Sequence, residues 1–130
     1  MRLLLDTHAF LWYITNDARL PRPAFDAIRD KSNEVFLSVV SVWEALVKYQ
    51  LGKLPLPEPA DEYLDSRRNA HGIAALPLHA QAASHLLTLP PHHRDPFDRM
   101  LICHAVHHDL TIVTSDEMFG RYPVSLLGPA

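Results

Sequence analysis

The chain begins with the run Arg2-Leu3-Leu4-Leu5-Asp6, in which three leucines lead directly into an acid. Such a short apolar run, followed by the apolar stretch 9–14, predicts a buried strand and then a helix. A second run, Leu110-Thr111-Ile112-Val113-Thr114, is rich in β-branched residues and leads to Asp116. We therefore predict two buried strands, each of which delivers a carboxylate at its end.

Between these two strands, strand and helix patterns alternate. This alternation predicts an α/β protein, a three-layer α/β/α sandwich with a mostly parallel central sheet of four to five strands. A length of 130 residues predicts one domain that spans residues 1–130. The other predicted strands are 35–37, 73–76 and 124–126; the predicted helices are 21–30, one capped by Ser38 or Ser41 and ending at Gly52, 60–69, 78–87, 96–108 and a short one before the last strand.

Composition limits the classes of function. The net charge of −3 argues against a binder with a broad basic surface, so a nucleic-acid substrate would need a bound cation or a local basic rim. The single cysteine, Cys103, lies in an apolar run and predicts a buried thiol in a reducing compartment, the cytoplasm. Asp6 and His8 interrupt the N-terminal leucines before a signal peptide could form, and we expect no membrane span.

Four acids are predicted to converge at one edge of the sheet. Asp6 and Asp116 end strands, and ligands of open α/β sheets bind beyond the carboxyl ends of the strands. Glu44 and Asp98 lie in the opening turns of helices that start on that edge. Clustered carboxylates repel one another, so such a group takes up protons or binds a cation. Oxygen ligands suit Mg²⁺ or Mn²⁺, which can activate water for phosphodiester hydrolysis.

Four ordered motifs carry a family resemblance. They are Leu-Leu-Leu-Asp-Thr-His-Ala at 3–9, Ser-Val-Val-Ser-Val-Trp-Glu at 38–44, Asp-Pro-Phe-Asp-Arg-Met-Leu-Ile-Cys-His-Ala at 95–105 and Val-Thr-Ser-Asp at 113–116. Over essentially its whole length the chain resembles the PIN-domain ribonucleases, specifically the VapC-type toxins of bacterial type II toxin–antitoxin pairs.

The resemblance implies an activity and a set of partners. It implies a Mg²⁺-dependent endoribonuclease whose substrate is RNA and whose cognate antitoxin blocks the groove, and we also expect a homodimer. The residues that match the family's acidic quartet are Asp6, Glu44, Asp98 and Asp116. Thr7 and either Thr114 or Ser115 match the supporting hydroxyls.

Each acid also has a purely structural interpretation. Asp6 and Asp116 are suited to cap helices, Asp98 complements a helix dipole, and Glu44 is compatible with a solvated helix face. Asp95 precedes a proline, which favours a role as helix cap over one as a metal ligand, with a supporting role at the site left open.

A basic rim is predicted from the residues that flank the acidic motifs. Arg94, Arg99 and Arg121 are the candidates to face the phosphates, whereas Lys48 and Lys53 are compatible with the solvated face of their helix.

Histidines and aromatic residues suggest less specific roles. His104 and His108 have chelating spacing, but without an adjacent glutamate or a cysteine cluster a zinc site is disfavoured. His8 lies close enough to Asp6 to hydrogen-bond in the site, although packing is the simpler role. Phe10, Trp12 and Tyr13 could stack on bases, but core, dimer or antitoxin contacts are favoured.

Three other classes of protein fit the sequence less well. A haloacid-dehalogenase-type phosphotransferase needs an acid two residues after the first, where this chain has His8. A receiver domain needs a lysine after a late strand, and residues 111–119 contain none. A non-catalytic module of the same fold that binds RNA or a partner is the remaining alternative, and the intact acidic quartet disfavours it.

Overall fold

A computed structural model describes residues 1–91 and 95–128. The predicted α/β class is confirmed, with helices on both sides of one five-stranded sheet. Among the described residues, no helix has both the length and the apolar character needed to cross a bilayer. The elements are β1 (Arg2–Leu5), α1 (Thr7–Ile14), α2 (Arg22–Arg29), β2 (Glu34–Ser38), α3 (Val39–Gln50), α4 (Ala60–Ala70), β3 (Ala74–Leu76), α5 (Ala80–Ala83), a 3-10 helix (Ser84–Thr88), α6 (Pro96–His108), β4 (Thr111–Val113), a second 3-10 helix (Glu117–Arg121) and β5 (Ser125–Leu127).

All strand pairs in the sheet are parallel, and the order is β3-β2-β1-β4-β5. The chain builds outward from β1 through β2 to β3, then returns to the other side of β1 for β4 and β5. The edge between β1 and β4 is therefore the topological switch point, where ligands bind in open α/β sheets. Leu5 pairs with Val113, so both strands end at the same level.

The side chains of β1 alternate between two cores. Leu3 and Leu5 pack with the residues of α1 and α2 on one face. Leu4 packs on the other face with Ile112 and the apolar side of α6, including Leu101. All three leucines are fully buried because a central parallel strand is covered on both faces. This arrangement produces the predicted three layers.

Two local predictions were wrong. The helix predicted for 78–87 is only the four-residue α5 followed by a 3-10 helix. Its start has no side-chain cap, and the Ser84 hydroxyl donates to the Ala80 carbonyl oxygen at 3.0 Å, a bond that competes with regular helix. The predicted buried strand at 73–76 begins at Ala74 and lies at the sheet edge, where Ala74 and Ala75 are exposed.

Candidate metal centre

Asp6 lies immediately after β1, at the switch point. Its backbone N–H donates to the Val113 carbonyl oxygen at 3.0 Å, which continues the parallel ladder by one residue. Its side chain caps α1, because Oδ1 accepts from the Ala9 N–H at 2.7 Å. Burial raises the pKa of Asp6, although a hydrogen bond from Thr114 opposes the increase. The strand end thus holds a buried carboxylate in one orientation.

Asp116 follows β4 and is positioned in the same way. Its Oδ1 accepts from the Met118 N–H at 2.9 Å and so caps the second 3-10 helix. Its own N–H donates to the Thr114 hydroxyl oxygen at 3.0 Å. Because Thr114 also bonds to the Asp6 side chain, this one residue links both strand-end acids. Ser115, the alternative supporting hydroxyl, is exposed and does not line the cavity described below.

Glu44 enters from α3, which starts at the Ser38 cap. The carboxylate is buried, with 5% of its side chain exposed. Its Oε1 accepts from the Thr7 hydroxyl, and its Oε2 accepts from Lys48 Nζ at 2.8 Å. Both oxygens therefore have donors, as a buried carboxylate requires.

Asp95 and Asp98 enter from the start of α6. Asp95 is the N-cap, and its Oδ1 accepts from the Phe97 N–H at 2.8 Å. Asp98, one turn later, has its pKa raised to about 7. Burial is the main cause, and the negative charges of Asp95, Glu44, Asp116 and Asp6 add to it, in that order. The four other acids thus all lie close enough to Asp98 to influence its carboxylate electrostatically.

A small cavity of about 120 Å³ brings these side chains together. Among the described residues, five carboxylates and one lysine contribute to its wall. At about 30 Å³ for each liquid water, the cavity has room for an ion with part of its hydration shell, but not for a nucleotide. The lining residues are Asp6, Thr7, His8, Glu44, Lys48, Asp95, Asp98, Asp116 and Phe119.

The donor set fits Mg²⁺ or Mn²⁺. Every acid in the lining offers hard oxygen ligands, and four negative charges add to the effect of burial in raising the pKa of Asp98. Within residues 1–91 and 95–128, no three acidic, histidine or cysteine side chains are gathered tightly enough to form a complete ligand shell. Mg²⁺ does not require one, because it is usually bound through one or two carboxylates and keeps several waters.

Comparison with known proteins places the chain in a family. The sequence profile described as PIN domain matches residues 3–124. The chain belongs to the PIN-domain family. This PIN domain is also 33% identical over 117 residues to Ribonuclease VapC16 of Mycobacterium tuberculosis, a match that covers 84% of this chain and 78% of that protein. At this identity and coverage the predicted membership of the VapC family is confirmed.

Solved structures share the fold of this PIN domain. VapBC2 of Rickettsia felis, bound to a promoter DNA fragment, matches with a TM-score of 0.70 and 18% identity over 98% of both chains. DNA-bound VapBC of Salmonella typhimurium matches with a TM-score of 0.67 and 20% identity over 98% of this chain and 97% of that one. At these identities the matches establish the fold alone.

The structure describes two of the three arginines of the rim predicted for the PIN domain. Arg94 lies outside the described residues. Arg99 is half-buried and lies near Cys103. Burial of the Cys103 thiol raises its pKa, and the positive charge of Arg99 lowers it in part. Arg121 is exposed at the end of the second 3-10 helix. Neither Arg99 nor Arg121 lines the cavity.

Lys48 was not among the residues predicted for the site, because its position is compatible with a solvated helix face. The structure places it in the cavity wall, bonded to Glu44. The spacing of Glu44 and Lys48 could have predicted this position. Residues i and i+4 lie on one helix face, so a lysine four residues after a buried glutamate lies beside that glutamate. His8 also lines the cavity, and its proximity lowers the pKa of Asp6.

The aromatic and histidine residues have structural surroundings in the PIN domain. Phe10 and Tyr13 are core residues, and Trp12 packs against that core with the Arg19 guanidinium 5.2 Å from its ring. His104 is fully buried, with its ring 6.0 Å from that of His108. None of these side chains lines the acidic cavity.

Proposed function

We propose that this PIN domain, residues 1–130, is a Mg²⁺- or Mn²⁺-dependent endoribonuclease and the toxin of a type II toxin–antitoxin pair that acts in the cytoplasm. The single observation that carries the proposal is the cavity at the switch point, where five carboxylates of the described chain face one another. The name of its relative, Ribonuclease VapC16, agrees with this activity. RNA is the proposed substrate.

In this proposal Asp6, Asp98, Asp116 and Glu44 would hold the metal, some of them directly and the others through its water ligands. The bound metal supplies activation of a water molecule and stabilisation of the departing oxygen, which are the requirements of phosphodiester hydrolysis. Thr114 orients the two strand-end acids, and Thr7 orients Glu44. Asp95 supports Asp98 by capping α6. The wall excludes all but small ligands, so the phosphate would approach from the mouth of the cavity.

Asp6→Asn and Asp98→Asn test the mechanism. Asparagine keeps the size of each side chain and, at position 6, the oxygen that caps α1. We expect the wild-type protein to cleave a mixed pool of cellular RNA in Mg²⁺ or Mn²⁺ and to stop when excess chelator is added. Each variant should lose at least about a hundredfold in rate, as when a group that stabilises transition-state charge is removed.

Glu62→Gln is the matched control, because Glu62 is an exposed acid on α4 and lies outside the cavity. It should cleave at the wild-type rate. If Asp6→Asn and Asp98→Asn cleaved as fast as this control, the carboxylate mechanism would be wrong. RNA binding without cleavage by the wild-type protein would instead favour the non-catalytic module.

The partners are proposed from two observations. A solved structure from Klebsiella pneumoniae that shares this fold is described as a toxin–antitoxin complex, and we propose a cognate antitoxin for this chain. We also propose a homodimer, because Val39 and Trp43 are 48% and 64% exposed and, one turn apart on α3, are neighbours on the helix surface. Sedimentation of the isolated chain should show a dimer, and Trp43→Glu should shift it to a monomer. A wild-type monomer at high micromolar concentration would contradict the dimer.

A further inference from the structure

Lys48 occupies an unusual position for a surface lysine. Its Nζ lies 2.8 Å from Glu44 Oε2, and its side chain is 35% exposed. It lines the acidic cavity together with Asp6, Asp98 and Asp116. Of the cavity residues that the structure describes, it is the one lysine, and none of them is an arginine. It is therefore a resident cation inside a group of acids.

This ion pair differs from the other one of the same spacing in the described chain. Arg22 and Asp26 form an i, i+4 pair on α2, with 70% and 58% of their side chains exposed. Exposed pairs of that kind contribute little to stability. In the Lys48–Glu44 pair the carboxylate is buried, so loss of its partner would leave a buried charge incompletely compensated. The ammonium of Lys48 thus compensates the buried charge of Glu44 in the cavity.

A divalent ion in the same cavity would interact with the charges of both Glu44 and Lys48. Glu44 has two oxygens, of which one accepts from Thr7 and the other from Lys48. A metal ion that binds Glu44 through Oε2 must share that oxygen with the ammonium or displace it. The two cations also repel each other, and in a partly buried site this repulsion is much stronger than in water. Lys48 and a divalent ion therefore oppose each other at Glu44.

We infer that Lys48 is a built-in competitor of the divalent ion and a contact for the RNA phosphate at the cavity mouth. When Glu44 turns to the metal, the ammonium becomes available to an incoming phosphate, and an ammonium with three donors is a common phosphate ligand. Lys48 thus lowers metal affinity and raises RNA affinity. This inference rests on the proposed function and assigns a role in substrate binding and metal affinity to a residue outside the acidic quartet.

Lys48→Met separates these two effects. The methionine keeps most of the apolar stem and removes the charge. Titration of the chelator-treated protein with Mn²⁺, followed by the loss of the free-ion electron paramagnetic resonance signal, should show roughly tenfold tighter binding in the variant. At saturating Mn²⁺, KM for the mixed RNA pool should rise several-fold. A purely structural role would not tighten metal binding.

Two further variants serve as controls. Lys53→Met removes the same charge from an exposed residue just after α3, outside the cavity, and should leave Mn²⁺ affinity unchanged. Lys48→Arg keeps the charge and should keep Mn²⁺ affinity within about twofold of the wild type, because the local charge is preserved. It also provides a folded variant if Lys48→Met is unstable, since tighter Mn²⁺ binding by Lys48→Arg would itself contradict the inference.

The outcomes distinguish this inference from the proposed function. If the wild-type protein binds Mn²⁺ and cleaves RNA, but Lys48→Met binds Mn²⁺ no more tightly than Lys53→Met, the role of Lys48 is wrong and the nuclease assignment stands. If the wild-type protein binds no Mn²⁺ at millimolar concentration, both are wrong. Tighter Mn²⁺ binding together with an unchanged KM would overturn the phosphate contact alone.

Discussion

Asp98→Asn should stabilise the protein when no divalent ion is present, even though it should abolish cleavage. Asp98 is half-buried at the start of α6, and burial together with four neighbouring carboxylates raises its pKa from 3.8 to about 7. Above pH 7 the folded protein must hold a charge that its surroundings disfavour. Asparagine has nearly the same shape and no charge, so the variant is free of this cost.

The size of the effect follows from the two pKa values. The unfolded chain loses the Asp98 proton near pH 4, and the folded chain keeps it until about pH 7. The stability contributed by proton uptake is thus complete below pH 4 and is lost as the pH rises towards 7. At about 1.4 kcal/mol for each pH unit, this interval corresponds to about 4 kcal/mol. Screening by solvent at a half-buried site reduces the expected gain to about 2 kcal/mol.

Urea unfolding in chelator, followed by circular dichroism, measures this gain. The free energy of unfolding of Asp98→Asn should exceed that of the wild type by about 2 kcal/mol at pH 8, and the difference should shrink towards zero near pH 4. Glu62→Gln removes one exposed negative charge and should stay within about 0.5 kcal/mol at every pH. A variant less stable than the wild type at pH 8, or a gain that does not change with pH, would refute the reasoning.

Three further predictions concern single side chains. Thr7→Val should lower the free energy of unfolding by about 1–3 kcal/mol in urea, because it leaves a buried Glu44 oxygen without its donor; an unchanged value would show that Glu44 has another partner. Asp95→Ala should lose about 1 kcal/mol of stability and Asp95→Ser should not, since serine also caps helices; equal losses would contradict the capping role. Burial and three nearby histidines lower the pKa of His104 from 6.5 to about 4, so the free energy of unfolding of the wild type should fall as the pH drops from 6.5 to 4. His104→Leu should remove this part of the decline. Identical pH profiles of the two proteins would exclude His104 as the cause.

Local patterns in the sequence predicted most of the fold. Strand 2–5 and helix 96–108 follow from apolar runs and from a capping aspartate before a proline, which act within a few residues. The helix predicted for 78–87 was wrong because the apolar residues there suggest a helix, whereas the Ser84 side chain bonds to the backbone. Leu87 is 90% exposed there, so the apolar signal did not report burial.

The acids of the candidate site were identified from the sequence, but the residues that surround them in the structure were not. Asp6 and Asp116 follow strands, and the pairing of β1 with β4 places both at one edge. This pairing joins segments more than a hundred residues apart, and no local pattern specifies it. Lys48 was missed for a related reason, because a lysine at helical spacing is equally compatible with solvent and with a cavity. The metal-binding roles of the acids remain predictions.

Asp6 and Asp116 each have two roles, and this limits which substitutions the chain tolerates at these positions. Each uses one oxygen to cap a helix and is also a proposed ligand, so a random replacement damages folding together with chemistry. Replacement by asparagine or serine would separate the two, because these residues also cap helices. Inactive descendants of such a protein should therefore accumulate asparagine or serine at positions 6 and 116, and they would remain abundant enough to capture partners without cutting RNA.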